Sequence, residues 1–471
     1  MQGREMGVIG LGVMGANLAL NLMDKGVRVV VYDQEPERTV AAFLNDPGRK
    51  GDARGAYSLP QMVRELSRPR ALWLMIRAGK PVDEVLQSLL PLLDRGDVVI
   101  DGGNTHFSDT VRRQEWAARF GVYLLGMGVS GGKEGARHGP SLMVGGDKRG
   151  WEIVRPYLEA IAARAGGETC VGYLGEGGAG HFVKMVHNGI EYADMEILAE
   201  AWQMMREGLG LSPFAAGEIF SEWNEGILKS YLVEITAQAL RKIEPDGTPL
   251  VERIRDAAGQ KGTGSWAVRE ALEAGVPLSL IAEAVFQRSL SARTTEREGL
   301  RRTLGPGESG EKFQRVEFLE DLREAIYLAR VLAYAQGFAL LASAGENHAW
   351  RIDLACAARL WRGGCILRGT LLEKIADVFS RTPELSNLLL DEEFAREAVN
   401  RQAALRRTVE RASRAGTAAP VLCAALSYFD SLRAGRLPAD LIQAQRDCFG
   451  AHGFERVDAP PGRLFHANWS E

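Results

Sequence analysis

The sequence predicts an α/β domain built on a parallel sheet, followed by a large all-α domain and a C-terminal tail. Three observations carry that expectation. Residues 1–177 alternate short apolar runs with helix-compatible stretches, the runs being MGVIG (6–10), VRVVVY (27–32), ALWLMI (71–76), DVVID (97–101) and VYLLG (122–126). Such alternation places parallel strands side by side with crossover helices between them. From 178 to 435 the strand-like runs disappear and helical periodicity dominates. Between the two parts lies GETCVGYLGEGGAG (167–180), which reads as a glycine-rich joint. The tail, 436–471, reads as one short helix and then irregular sequence; its Arg446, His452, Phe454, Phe465 and Trp469 argue that it packs on something, a second subunit included.

The first run leads into Gly10-Leu11-Gly12-Val13-Met14-Gly15, then a helical stretch, ANLALNLMDK, then VRVVVY ending at Asp33. A G-x-G-x-x-G pattern alone says little. Set between a strand and a helix, with an acid at the tip of the second strand, it specifies a dinucleotide-binding, Rossmann-like domain. Gly10 permits the tight turn, Gly12 lets backbone approach a pyrophosphate, and Gly15 allows close helix–strand packing. The pyrophosphate then lies over the helix N-terminus, where free N–H groups favour negative charge. Gly26 is placed to end this helix and Pro81 to begin another. Asp33 is placed to accept from the adenosine ribose hydroxyls and repels a 2′-phosphate. Gln34 and Glu35 follow it, so NAD is expected over NADP, with Arg38 the one nearby cation able to accept the extra phosphate.

Further on, HFVKMVHNGIEYADMEILAEAWQMM contains no proline and reads as one long helix. Lys184, His187, Asn188 and Glu191 stand at i, i+3, i+4 and i+7, a spacing that normally belongs to an apolar stripe. Phe182, Val186, Ile190, Ala193 and Ile197 occupy another face and can do the packing. A polar stripe of this kind is either a solvated face or the wall of a site.

The remaining features exclude more than they identify. At 471 residues the chain holds two or three domains, and a net charge of −4 gives no global pull toward nucleic acid or an anionic membrane. No apolar stretch is expected to reach the length of a membrane span. The N-terminus runs almost at once into the first strand, so no leader is expected. The five cysteines are scattered without a C-x-x-C pair, which suits reduced, small buried thiols in a cytoplasmic protein. No metal-ligand spacing occurs, so no metal is expected. The arginines around 401–414 read as a solvated helix face.

The loops MIRAGKPVD (75–83), DGGNTHFSDT (101–110) and GVSGGKEGARHGPSLMVGG (128–146) fall where ligands bind in open sheets. Together with GHFVKMVHNGIEYADM (180–195), AGQKGTGSW (258–266), WRGGCILR (361–368) and QRDCFGAH (445–452), they closely resemble the 6-phosphogluconate dehydrogenases, the decarboxylating enzymes of the pentose phosphate pathway, in their long dimeric form. The resemblance runs from residue 6 to the final Asn-Trp pair. It implies oxidation of the C3 hydroxyl of 6-phosphogluconate, loss of CO2 and protonation of an enediol to ribulose 5-phosphate. It implies Lys184 as general base and Glu191 as general acid, with His187 and Asn188 on substrate oxygens. Asn104 would touch both substrate and nicotinamide, and Ser130, Gly131 and Gly132 the carboxylate end. Tyr192, Lys261, Thr263 and Arg288 would hold the phosphate, joined by Arg446 and His452 from the tail of the other subunit of a homodimer. Ile76, Arg77 and Ala78 fall in the cofactor loop. The sequence departs from the family at Lys133, where Glu is common, at Arg77 for Lys, at Cys448 for an aromatic, and at Asp33-Gln34-Glu35 for Asn-Arg-Thr. The last departure sets this chain against the family's customary NADP preference. Two rival readings share some of these residues: a 3-hydroxyisobutyrate-type dehydrogenase, shorter and without the QRDxFGAH tail, and a catalytically silent homologue.

Overall fold

The first apolar runs become β1 (Glu5–Ile9), β2 (Arg28–Tyr32), β4 (Ala71–Leu74), β5 (Val98–Asp101) and β6 (Tyr123–Ser130), with the short β3 (Ala53–Gly55) after β2. These belong to a computed structural model that describes residues 5–46, 50–260, 262–305 and 313–469. β7 (Ser141–Gly146) and β10 (Val171–Gly175) complete an eight-stranded sheet of order β10-β7-β6-β5-β4-β1-β2-β3, while β8 (Arg164–Ala165) and β9 (Glu168–Thr169) form a small separate hairpin. Both sheet faces are covered, so successive residues of one strand enter different cores. Val29 and Val31 pack with Leu18 and Leu22 on one face, and Val30 packs with Met62 and Leu72 on the other.

The sheet is not wholly parallel. β7 runs antiparallel to β6, from Leu125↔Gly146 to Ser130↔Ser141, and β10 is parallel to β7. The connection 131–140, holding the short helix Gly132–His138, is too short for an ordinary parallel crossover and reverses the chain instead. The segment expected as a joint, 167–180, likewise supplies the edge strand β10 and the start of the next helix.

That helix, Ala179–Leu209, is the single long helix the sequence predicts. It crosses the sheet on glycines. A Cβ on Gly180 would collide with backbone of Gly126 and Gly145, and one on Gly128 would collide with the Lys184 side chain. The buried face of the helix holds Phe182, Val186, Ile190, Ala193 and Ile197, all at most 1% exposed. Behind it packs the 33-residue helix Arg315–Asn347, whose Gly337 receives Ile190. Contrary to expectation, this second helix is long and apolar enough by composition to cross a bilayer; 89% of its apolar window is buried in the protein, as in a core helix. On its other side lies Glu392–Ala415. The arginines expected there as a solvated face are paired: Arg407 and Arg411 meet Asp321, and Arg401 meets Glu324. Of the cysteines, Cys170 and Cys365 are buried, but Cys423 and Cys448 are exposed, contrary to expectation.

Contacts divide the chain into two units, Met1–Ala425 and Leu426–Glu471, the division falling within helix Pro420–Arg433. The second unit has more structure than the sequence suggested. Helix Ala439–Gly450 is followed by β11 (Phe454–Glu455) and β12 (Leu464–Phe465), an antiparallel pair. Asp447 holds them together, accepting from Gly453 N, His466 Nδ1, Ala467 N and Trp469 Nε1 at 2.8–3.1 Å. These partners hold its carboxyl well below the usual range.

Candidate active site

The loops after β1, β2, β4, β5 and β6 all leave the same edge of the sheet, the carboxyl ends of the parallel strands. That edge gathers Leu11–Gly15, Asp33 and Gln34, Ile76–Ala78, Asn104 and Ser130–Gly132. β1 lies between β4 and β2, so the glycine loop is flanked by the Asp33 loop on one side and the Ile76 loop on the other. Gly10 has φ +98°, and a Cβ there would stand 2.6 Å from the Met75 carbonyl. A Cβ on Gly15 would run into the Gly10 carbonyl. At Gly12 it would meet nothing within 4 Å. The backbone there is open, which fits close approach of a pyrophosphate to the N-terminus of helix Val13–Asp24. Asp33 Oδ2 accepts Leu11 N at 2.7 Å, so the acid also pins the glycine loop. Arg38 is paired with Glu35 at 2.7 Å, both exposed.

The helix Ala179–Leu209 brings its polar stripe beneath the loop after β6. Lys184 is 7% exposed and His187 fully buried, which decides against a solvated face. Lys184 Nζ lies 3.0 Å from Ser130 Oγ and 3.3 Å from His187 Nδ1. His187 Nε2 lies 3.4 Å from Ser130 Oγ, and its Nδ1 lies 3.1 Å from Asn188 Oδ1 and 3.7 Å from Glu191 Oε2. Asn188 Nδ2 donates to Thr263 Oγ1 at 3.2 Å. The stripe is therefore one connected polar chain from the sheet loop to helix Thr263–Ala274.

Its electrostatics follow from burial. Burial lowers the Lys184 amine below its ordinary range, against the pull of Glu191. Burial, with the neighbouring lysine next, holds His187 well below an ordinary histidine, so it is neutral. Burial raises Glu191, opposed by Lys184 and Arg288 and aided by Asp194. An amine made easier to deprotonate and a carboxyl made easier to protonate are suited to base and acid work respectively.

Arg288 stacks on Tyr192 with its guanidinium carbon 3.6 Å from the ring centroid, and Nη1 donates to the Gly259 carbonyl. Thr263, Tyr192 and Arg288 thus lie at the Glu191 end of the stripe. Lys261 lies outside the described residues. Arg446 and His452 belong to the second unit, Arg446 on helix Ala439–Gly450 and His452 just past it.

Several buried partners were not anticipated. Trp361 stands edge-on to the His187 ring at 5.4 Å, and Cys365, its thiol pushed up to about 12 by burial, feels the charge of Lys184. Gly364 accepts Ser141 N and abuts Gly131, so the WRGGC segment backs the loop after β6. Asp101, Arg113 and the Asp194–Arg330 pair are also buried. A lone arginine in a helix or a lone aspartate at a strand end carries no local mark of burial; only the glycines of WRGGC gave a signal.

Residues 5–175 match the family model for the NAD binding domain of 6-phosphogluconate dehydrogenase, and residues 180–469 that for its C-terminal domain. The decarboxylating 6-phosphogluconate dehydrogenase of Homo sapiens is 46% identical over 472 residues, covering 99% of this chain and 96% of that protein. The NADP(+)-dependent decarboxylating enzyme of Bacillus subtilis (strain 168) is 46% identical over 471 residues, the whole of both chains. Among solved structures, Plasmodium falciparum 6-phosphogluconate dehydrogenase, described with its cofactor NADP+ and its substrate 6-phosphogluconate, matches with a TM-score of 0.95 at 37% identity, over 99% of this chain and 100% of that one. With both halves matched and the likeness unbroken from end to end, this chain belongs to the 6-phosphogluconate dehydrogenase family.

Proposed function

We propose that the chain oxidatively decarboxylates 6-phosphogluconate to ribulose 5-phosphate and CO2, reducing NAD in preference to NADP. The observation that carries the reading is the buried Lys184–Ser130–His187 cluster on the same helix face as Glu191. Lys184, neutral, takes the proton of the C3 hydroxyl. A nicotinamide held by the Leu11–Gly15 loop, Asp33 and Ile76–Ala78 would supply the hydride acceptor for C3. The 3-keto acid then loses CO2, the electron pair of the broken C–C bond passing into the enediol as Lys184 returns its proton to the carbonyl oxygen. Glu191 protonates the enediol carbon that carried the carboxylate, the former C2, while Lys184 takes the proton of the neighbouring hydroxyl, leaving the ketone of ribulose 5-phosphate. Ser130 with Gly131 and Gly132 receives the carboxylate end, Asn104, His187 and Asn188 the hydroxyls, and Tyr192, Lys261, Thr263 and Arg288 the phosphate. Arg446 and His452 complete the phosphate site from a second subunit of a homodimer. The unpaired state of all five cysteines supports a cytoplasmic setting.

Preference for NAD rests on the end of β2. A 2′-phosphate would meet the Asp33 carboxylate and compete with Glu35 for Arg38. Loss of one charged partner amounts to at least about tenfold discrimination. The test is kcat/KM for NAD and NADP at saturating 6-phosphogluconate, with 3-hydroxyisobutyrate as the competing substrate. Turnover of 6-phosphogluconate and not of 3-hydroxyisobutyrate is expected, with NAD favoured and Asp33→Asn/Gln34→Arg moving the preference toward NADP. No turnover with either cofactor removes the function; equal or better use of NADP removes only the preference.

A further inference from the structure

Asn104 is exposed on the loop after β5, and its two neighbours are tied down. Gly103 N donates to Asp101 Oδ1 at 3.1 Å and Thr105 Oγ1 to Asp101 Oδ2 at 2.8 Å. Asp101 itself is 1% exposed and faces Arg113 Nη1 at 3.2 Å. Arg113 projects from helix Phe107–Ala118 and is completely buried. Its other donors turn to a different loop. Nη2 donates to the Gly79 carbonyl and Nε to Asp83 Oδ1, each at 2.8 Å. Gly79 closes the turn that carries Ile76, Arg77 and Ala78, and Asp83 lies in the first turn of helix Lys80–Leu89.

We propose that Arg113 is a positioning residue that locks the cofactor loop, 76–79, to the substrate loop, 101–105, holding the nicotinamide and the sugar acid in one mutual placement. The inference rests on the proposed function, since it takes those loops to hold those ligands. The fork of the guanidinium is what the task requires. Its donors diverge in a fixed plane and reach three acceptors on two loops at once. A lysine ammonium keeps the charge but is a single point on a flexible stem, and it can satisfy only part of this set.

The test uses the full-length enzyme with Arg113→Lys and Asp83→Asn, each checked by melting temperature. Measured are kcat, KM for both ligands, and Kd for the reduced cofactor by its fluorescence. Arg113→Lys is expected to remain folded, to lose about tenfold to a hundredfold in kcat and to raise both KM values. Asp83→Asn, which weakens one of the two cofactor-side contacts of Arg113, together with the Arg112 pairing, and leaves the Asp101 side untouched, is expected to raise KM for the cofactor and leave that for 6-phosphogluconate in place. Wild-type kcat in Arg113→Lys overturns the inference, and so does a lowered melting temperature with both KM values unchanged. Should wild-type enzyme fail to turn over 6-phosphogluconate, the proposed function falls while the loop lock is still judged by cofactor Kd. It stands if Arg113→Lys weakens cofactor binding about tenfold and falls if Kd is unchanged.

Discussion

Lys184 and Glu191 share one helix face, and burial moves them in opposite directions, the amine downward and the carboxyl upward. As the proposed general base Lys184 must be neutral, so its arm of the pH profile should rise as pH passes upward through its lowered pKa. As the proposed general acid Glu191 must be protonated, so its arm should fall as pH passes upward through its raised one. Glu191→Gln should therefore lose the alkaline fall in kcat together with much of the rate, as a pH series on both enzymes will show. Lys184→Met should lower kcat by about 10²- to 10⁴-fold, the range for a positioned proton-transfer group, and leave cofactor Kd unchanged. A variant near wild-type turnover would take the lysine out of the reaction. At this scale the stripe 184–187–188–191 was legible because polar residues occupied an apolar spacing. Arg113, Asp101 and Trp361 were not, because their significance lies in tertiary neighbours that no local pattern encodes.

Among the elements, the glycine loop, its helix and the strand ending at Asp33 were plain in the sequence, since turn, helix start and acid follow at fixed offsets. β7 and β10 were hidden by their glycines, which depress strand propensity yet are needed where neighbours press close: Gly145 against the long helix, Gly172 against Cys356 and Gly175 against the Trp350 carbonyl. The pairing of Arg407 and Arg411 with Asp321 was hidden too, because a basic helix face looks the same whether water or a carboxylate covers it. The long helix also receives another element. Glu200, 2% exposed, accepts Val421 N at 2.7 Å and Leu422 N at 3.0 Å, at the start of helix Pro420–Arg433. Burial nonetheless pushes its carboxyl up to about 8, with Glu196 and Glu283 adding to the rise. A group whose folded pKa is raised gives stability that is complete below its unfolded value, about 4.3, and is lost as pH rises through about 8. Across that window wild-type protein should lose stability relative to Glu200→Gln, by up to about 1.4 kcal/mol per pH unit. Denaturant melts at pH 5, 7 and 9 check this; parallel curves for the two proteins would contradict it.

For the whole molecule, the proposed division of labour is between subunits. Arg446 sits beside Asp447, the residue that ties helix Ala439–Gly450 to β12 and the residues after it, so the tail presents its cation from a braced surface. If that cation serves a second subunit, mixing Lys184→Met and Arg446→Ala proteins should restore activity. Some mixed dimers then carry one site free of both lesions. Verified subunit exchange without any regained turnover would rule out the crossed arrangement. A different consequence follows from the way the long helix rests on the sheet. Gly126, Gly128, Gly145 and Gly180 leave no room for even a methyl group, and one of them abuts the stem of Lys184. The reach of the amine toward Ser130 is thus fixed by matter that is missing. Heredity can rewrite much of this helix and much of this sheet, but at these four places it has one letter to spell with, although none of the four takes part in the chemistry.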